Sequence, residues 1–245
     1  MTGPSATTTA EVLDGVDLSG RSAVVTGASS GLGLQTAQAL QSVGARVIAA
    51  VRDVGKTRAV LDCEAVELDL SDLRSVRTAA ADVAGRLDRI DLLINNAGVM
   101  ASPLMRTAQG YELQLGTNHL GHFVWTNALL DRLADGSRIV NLSSRGHLMS
   151  AMRWDDPNYE DESAYDKWQA YGQSKTANVL FTVEGEDLYH YRLVHMTGTV
   201  KLIDLFVDEK YAPNVFLSAA LVSDRQIFTD TKQVVEQPTK NFLTV

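Results

Sequence analysis

Short apolar runs alternate with longer amphipathic stretches over most of this chain. Ser22–Val25 reads as a buried strand, Thr26–Gly33 as a glycine turn, and Leu34–Leu40 as the helix that follows, with Gly44 stopping it. Ala45–Val51 is a second buried strand, Ala65–Leu68 a third closed by Asp69 and Leu70, and Ile90–Ile94 a fourth that runs into Asn95–Gly98. A long helical segment, Tyr111–Ala134, precedes a fifth strand at Arg138–Leu142. Strands that alternate with helices predict an α/β fold with a doubly wound parallel sheet. After Glu184 the pattern changes. Tyr191–Val194, Thr199–Phe206, Asn214–Val222 and Phe242–Val245 are short β-prone runs between turn residues. They predict half-exposed antiparallel strands and leave the parallel sheet incomplete on its C-terminal side. The expected organisation is a disordered leader at residues 1–17, an α/β domain at 18–184 and a β-rich segment at 185–245.

Two places in this pattern carry chemistry. Gly27, Gly31 and Gly33 stand between a strand and a helix with the spacing Gly-x-x-x-Gly-x-Gly. Without a Cβ the backbone can approach a pyrophosphate, and the first helical turn aims unpaired N–H groups and a positive dipole end at it. A plain tight turn between strand and helix has the same spacing. Tyr171 and Lys175 are one helical turn apart, so a phenol and an ammonium share a face. A free phenol ionises only near pH ~10, and a neighbouring cation favours the phenolate, which makes the pair a proton-transfer unit. Any amphipathic helix can contain such a pair by chance. Its meaning comes from the motifs around it.

Thr26–Gly33, Asn95-Asn96-Ala97-Gly98, Asn118, Ser143-Ser144 and Tyr171–Lys175 occur in the order found in the short-chain dehydrogenases/reductases. The resemblance runs from about Leu18 to about Glu184. Asn118–Phe123 and Tyr171–Phe181 are most similar to the retinol-dehydrogenase and WW-domain-oxidoreductase branch. What this implies is a Rossmann-like sheet and an oxidoreductase moving hydride between a nicotinamide dinucleotide and an alcohol or carbonyl. By the same resemblance Tyr171 is the general acid/base, Ser144 holds the substrate oxygen, and Asn118 braces a water chain reaching Lys175. Lys175 favours the phenolate and, with Tyr171, contacts the nicotinamide ribose. Gly27, Ser29, Ser30, Gly31, Leu32 and Gly33 would line the pyrophosphate, Asp69 and Leu70 the adenine, and Asn96, Ala97 and Gly98 a ribose. Aligned from Gly33, the position for a ribose-binding acid falls on Val51, and Arg52 follows, which favours NADP(H) over NAD(H). Asp53 lies about 20 residues beyond the glycines and is the competing ribose acid. A surface pair between Arg52 and Asp53 is the plain alternative.

Composition adds exclusions. The chain has 245 residues, enough for one sizeable core, and a formal net charge of −8, which argues against a nucleic-acid surface. Cys63 stands alone, so no intrachain disulfide is expected, and no apolar run reaches the ~18 residues of a transmembrane helix. Residues 1–10 are small and polar, unlike a signal peptide, and a cytoplasmic enzyme is expected. His119, His122, His147, His190 and His195 form no convincing ligand pair; packed or surface roles are expected for each, and no metal. The long connection His147–Gln169 carries Trp154, Tyr159, Tyr165 and Trp168, which either line a bulky apolar substrate site or pack the loop onto its own domain. Lipophilic substrates are implied only by the branch resemblance. Family members commonly pair through their long helices, and loss of the C-terminal closure removes part of that surface, so oligomeric state stays open.

Gly185–Leu188, Tyr211–Phe216 and Lys240–Leu243 resemble a stretch of bacterial alpha-2-macroglobulins. The chain then reads as a dehydrogenase continued by a foreign β segment. A dinucleotide-binding protein without turnover and a β-sheet interaction module are the alternatives to a working enzyme.

Overall fold

A computed structural model describes residues 8–182 and two strands at 214–223 and 226–235. The chain separates into two units, Met1–Val183 and Glu184–Val245. In chain order the first contains α1 (Thr9–Val12), β1 (Ser22–Thr26), α2 (Gly31–Ser42), β2 (Arg46–Val51), α3 (Val54–Arg58) and β3 (Glu64–Glu67). It continues through α4 (Leu73–Arg86), β4 (Ile90–Asn95), α5 (Leu113–Leu115), α6 (His122–Leu129), β5 (Leu133–Asn141) and α7 (Lys167–Phe181).

The five strands are parallel in the order β3-β2-β1-β4-β5. A two-residue period decides which side chains meet. Val24, Ile48, Ala50, Val66 and Leu93 point to one face, where α4 adds Val76, Ala80 and Val83 and α6 adds Trp125 and Leu129. Ala23, Val25, Val47, Ala49, Val51, Ala65 and Ile94 point to the other, against Ala37 of α2. Both faces are covered, which is why β1 and β2 read as continuous apolar runs. Asp53, Asp72 and Asp166 cap α3, α4 and α7 with side-chain carboxylates, setting where each helix begins. Strand order reverses between β1 and β4, so the loops after these two strands open into one crevice at the sheet's C-terminal edge.

The helical segment expected at Tyr111–Ala134 is shorter and broken. Between α5 and α6 lies a π-helical turn, Gly116–Gly121, and a 3₁₀ turn at Leu130–Arg132 tightens the end. Leu133 and Ala134 already belong to β5, which pairs with β4 through a register shift between Leu133 and Arg138. Among the described residues β3 and β5 are the two sheet edges, and on β5 Ile139 and Val140 are 38% and 43% exposed. No helix among them is long and apolar enough to cross a membrane.

In the second unit β6 (Asn214–Ser223) pairs antiparallel with β7 (Gln226–Val235). β6 was expected at Asn214–Val222. β7 was not, because Asp230 and Lys232 interrupt its apolar alternation. The runs Tyr191–Val194, Thr199–Phe206 and Phe242–Val245 lie outside the described residues.

Leu93 is fully buried at the centre of the first core. Leu93→Ala is expected to cost about 2–5 kcal/mol, read as a shift of the urea unfolding midpoint at unchanged slope.

Candidate active site

Two backbone turns face each other in the crevice. After β1 the chain turns at Gly27, whose φ is +71°, and a Cβ there would lie 2.9 Å from the Cβ of Ala97. A Cβ on Gly33 would overlap the Asn96 amide and the Gly27 carbonyl. The turns are also tied together by hydrogen bonds. Asn96 Nδ2 donates to the Thr26 carbonyl at 2.9 Å, while the N–H groups of Asn96 and Ala97 donate to Thr26 Oγ1 at 2.9 and 3.0 Å. Asn95 Nδ2 donates to Asn141 Oδ1 at 2.7 Å and braces β4 to β5. Ser29 is half-buried, Ser30 and Gly31 are exposed, and Leu32 is 74% exposed. Ser30 caps α2 with no side-chain bond, so the first-turn N–H groups of this helix are left for an anion.

The second half of the site forms where α7 lies against the ends of β4 and β5. Lys175, buried, donates from Nζ to the Leu142 carbonyl at 3.0 Å, and Asn178 Nδ2 donates to the same oxygen at 3.1 Å. Ser143 Oγ donates to the Lys175 carbonyl at 3.0 Å. Burial lowers the Lys175 ammonium below the usual lysine range. Its Nζ lies 5.7 Å from the Tyr171 ring centroid, one helical turn away. Ser144 begins a 3₁₀ turn at Arg145–Met149, its Oγ accepting the Gly146 N–H at 3.1 Å. Gly146 lies flat against the phenol: a Cβ on it would meet Tyr171 Cε1 at 2.7 Å and Ser144 Oγ at 3.5 Å.

Asn118 sits in the π-helical turn and is fully enclosed, which excludes a surface role. Its Oδ1 accepts the Val99 N–H at 2.8 Å, and its Nδ2 donates to the Val99 carbonyl and Ser174 Oγ, both at 2.9 Å. This bonding supplies the local reason that an asparagine inside a helix needs. A Cβ on Gly98 would lie 3.0 Å from Asn118 Oδ1 and 3.8 Å from Lys175 Nζ, so these three residues converge. Ser144, Tyr171, Lys175, Asn118 and Gly98 thus gather beside the turn at Asn96–Ala97.

The remaining expected residues are more dispersed. Asp69 is half-buried, its Oδ1 accepting the Ser71 N–H at 2.8 Å and the Ser71 hydroxyl at 2.6 Å; Leu70 is buried against Gly121. Arg52 is exposed at the end of β2. Asp53 caps α3 by accepting the Lys56 N–H at 2.8 Å, and no ion pair joins it to Arg52 among the described residues.

The four aromatic residues of the long connection divide. Tyr159 is buried, edge-on to Tyr165 at 5.1 Å and beneath the Arg153 guanidinium at 4.3 Å. Trp154 and Trp168 are 46% and 41% exposed. The loop is pinned by residues that sequence reasoning missed. Arg106 donates to the Tyr159 carbonyl at 3.0 Å, and Gln114 Nε2 to the Lys167 carbonyl at 2.9 Å. Buried Glu112 accepts the N–H groups of Gln114 and Leu115. His122, for which a packed or surface role is expected, is packed, and its partner was not legible in the sequence. It is the first residue of α6 and is enclosed against the end of β1, with Nε2 2.9 Å from Thr26 Oγ1.

Residues 21–156 match the family model described as short chain dehydrogenase. Retinol dehydrogenase 11 of Mus musculus is 45% identical over 181 residues, 69% of this chain and 57% of that protein. An uncharacterized protein from Mycobacterium paratuberculosis, known from a crystal structure, is 47% identical with a TM-score of 0.63, covering 68% of this chain and 61% of that one. The Pseudomonas aeruginosa RhlG/NADP complex is 29% identical with a TM-score of 0.52, covering 67% and 64%. The chain spans about half the length of the curated relatives it matches.

Burial, offset by the Asn118 carbonyl and helped by the charges of Lys175 and His119, lowers the His122 imidazole from 6.5 to about 4. The unfolded chain takes up this proton first. The stability His122 contributes is therefore whole above about pH 6.5 and lost as pH falls toward about 4. Burial pushes the Glu112 carboxyl up, which gives the opposite slope over part of this range, so the difference between two proteins is the useful reading. Urea midpoints of wild type and His122→Gln should converge or cross as pH falls through this window, by an amount on the order of 3 kcal/mol.

Proposed function

Because the chain belongs to the short-chain dehydrogenase family, we propose that it moves a hydride between NADP(H) and an alcohol or carbonyl, with Tyr171 as general acid/base. The observation that carries this reading is the convergence of Ser144, Tyr171, Lys175 and Gly98 beside the paired turns at Gly27–Gly33 and Asn96–Ala97. A dinucleotide fits those turns. At Gly31 a Cβ would meet nothing within 4 Å, so the backbone there lies open to a pyrophosphate, and the open N–H groups of α2 suit its charge. Asp69 and Leu70 would border the adenine, and Asn96, Ala97 and Gly98 a ribose.

When bound, the nicotinamide supplies or accepts the hydride. The residues of this chain manage the oxygen and its proton. The Ser144 hydroxyl, on the same side of Gly146 as the phenol, holds the substrate oxygen and stabilises charge developing on it. Tyr171 gives that oxygen a proton during carbonyl reduction and takes it back during alcohol oxidation. An ammonium near a phenol stabilises the negative charge left as the proton departs, and Lys175 is the cation in that position. Asn118 holds Val99 and Ser174 and so fixes the wall behind Lys175. Arg52 faces solvent where a 2′-phosphate would be read, whereas the Asp53 carboxylate is occupied as a helix cap, which supports NADP(H) over NAD(H). The neighbour solved with NADP points the same way. Retinol dehydrogenase relatives make a lipophilic carbonyl or alcohol the first substrate class to try, with exposed Trp154 and Trp168 available to line its path.

A second reading is nucleotide binding without turnover. It is favoured by the exposed apolar residues Ile139 and Val140 on β5, an edge strand among the described residues. Thermal stabilisation by NADPH, with no loss of reduced-nicotinamide absorbance across a carbonyl panel, would select it.

Tyr171→Phe is expected to lower kcat by about 10²–10⁴-fold while leaving the NADPH Kd and the melting temperature close to wild type. A variant that loses stability instead would remove the phenol from the mechanism. Arg52→Ala should weaken NADPH by about tenfold or more and leave NADH unchanged, measured by titration with each nucleotide.

A further inference from the structure

The imidazole of His122 is 2% exposed and engaged at both nitrogens. Nδ1 lies 3.0 Å from the Asn118 carbonyl, and Nε2 lies 2.9 Å from Thr26 Oγ1. A backbone carbonyl can only accept, so the ring proton is on Nδ1 and Nε2 presents a lone pair. Thr26 completes the assignment. Its hydroxyl oxygen accepts the N–H groups of Asn96 and Ala97, which occupies both of its lone pairs. The one hydroxyl proton must then go to an acceptor. The Ile94 carbonyl is 3.4 Å away and Nε2 is 2.9 Å away, and the shorter contact is the hydrogen bond.

We propose that His122 is a positioning residue for the dinucleotide: by accepting a hydrogen bond from the Thr26 hydroxyl, it turns both Thr26 lone pairs toward Asn96 and Ala97 and fixes their turn against Gly27 and Gly33. The inference rests on the reading that this surface carries NADP(H). The turns have no slack, since a Cβ on either glycine would collide with Asn96 or Ala97. A small shift of the 96–97 turn therefore moves the surface a nucleotide would lie on. The ring touches neither Tyr171 nor Ser144 through any hydrogen bond described above, so its contribution goes to nucleotide affinity and not to the rate of transfer.

The test compares full-length wild type, His122→Phe and His122→Gln for NADPH binding by titration and for steady-state kinetics. Phenylalanine keeps a flat ring and removes both the acceptor and the Nδ1–H bonded to the Asn118 carbonyl. The glutamine carboxamide oxygen is as many bonds from Cα as Nε2, and can accept in its place. His122→Phe is expected to raise the NADPH Kd and KM roughly tenfold while kcat changes by less than about twofold, and His122→Gln to recover most of the loss. Unchanged affinity in His122→Phe overturns the inference, and so does a His122→Gln protein as weak as His122→Phe. A wild type that binds neither NADPH nor NADH overturns the functional reading and this inference together. Should His122→Phe fail to fold, ¹⁵N spectra of the wild-type imidazoles still decide. The signal missing in His122→Gln must show a protonated Nδ1 and a bare Nε2; a proton on Nε2 overturns the proposal.

Discussion

A steric constraint governs the site: two backbone turns from different strands are so close that the first tolerates no side chain at positions 27 and 33. Gly27 and Gly33 exist as glycines because Ala97 and Asn96 occupy the space their Cβ atoms would need. That closeness requires β1 and β4 to be neighbours in the sheet, which the burial of both faces secures. It also places Thr26 where one hydroxyl can serve the N–H groups of two successive residues on the opposite turn.

The other half of the site depends on how α7 is held. Three bonds tie it to the end of β5: Lys175 and Asn178 to the Leu142 carbonyl, and Ser143 to the Lys175 carbonyl. Polar groups buried at the end of a sheet must find partners, and here the side chains of the helix supply them. The same bonds orient the phenol relative to Ser144, so the requirement for hydrogen-bond satisfaction and the geometry of proton transfer are met by one set of contacts.

The parts legible in the sequence are those where a local rule has one solution. β1, β2 and β4 show as apolar runs because they are covered on both faces, and the glycine turn shows because its backbone excludes a Cβ. Tyr171 and Lys175 share a face through helical spacing alone. For Asn118, His122 and Glu112 it was the partners that were opaque, for a different reason. Their partners are Val99, Thr26 and residues of a distant loop, and a single sequence contains no trace of which residues tertiary packing will bring together. The π-helical turn follows from such contacts and was read as ordinary helix. In the long connection, only the structure separates Tyr159, enclosed under Arg153, from Trp154, which faces solvent.

The hydrogen bonds from Asn96 to Thr26 close a loop of 70 residues, and this separation bears on how the molecule comes into being. Local helices form quickly, but parallel strands so far apart must meet against the entropy of the intervening chain, which makes topologies of this kind slow. A ribosome that has released only the first half of β4 has already supplied β1, its turn and α2 without the partner they are shaped to meet. The pocket therefore waits on chain closure, a slower event than the winding of any one helix.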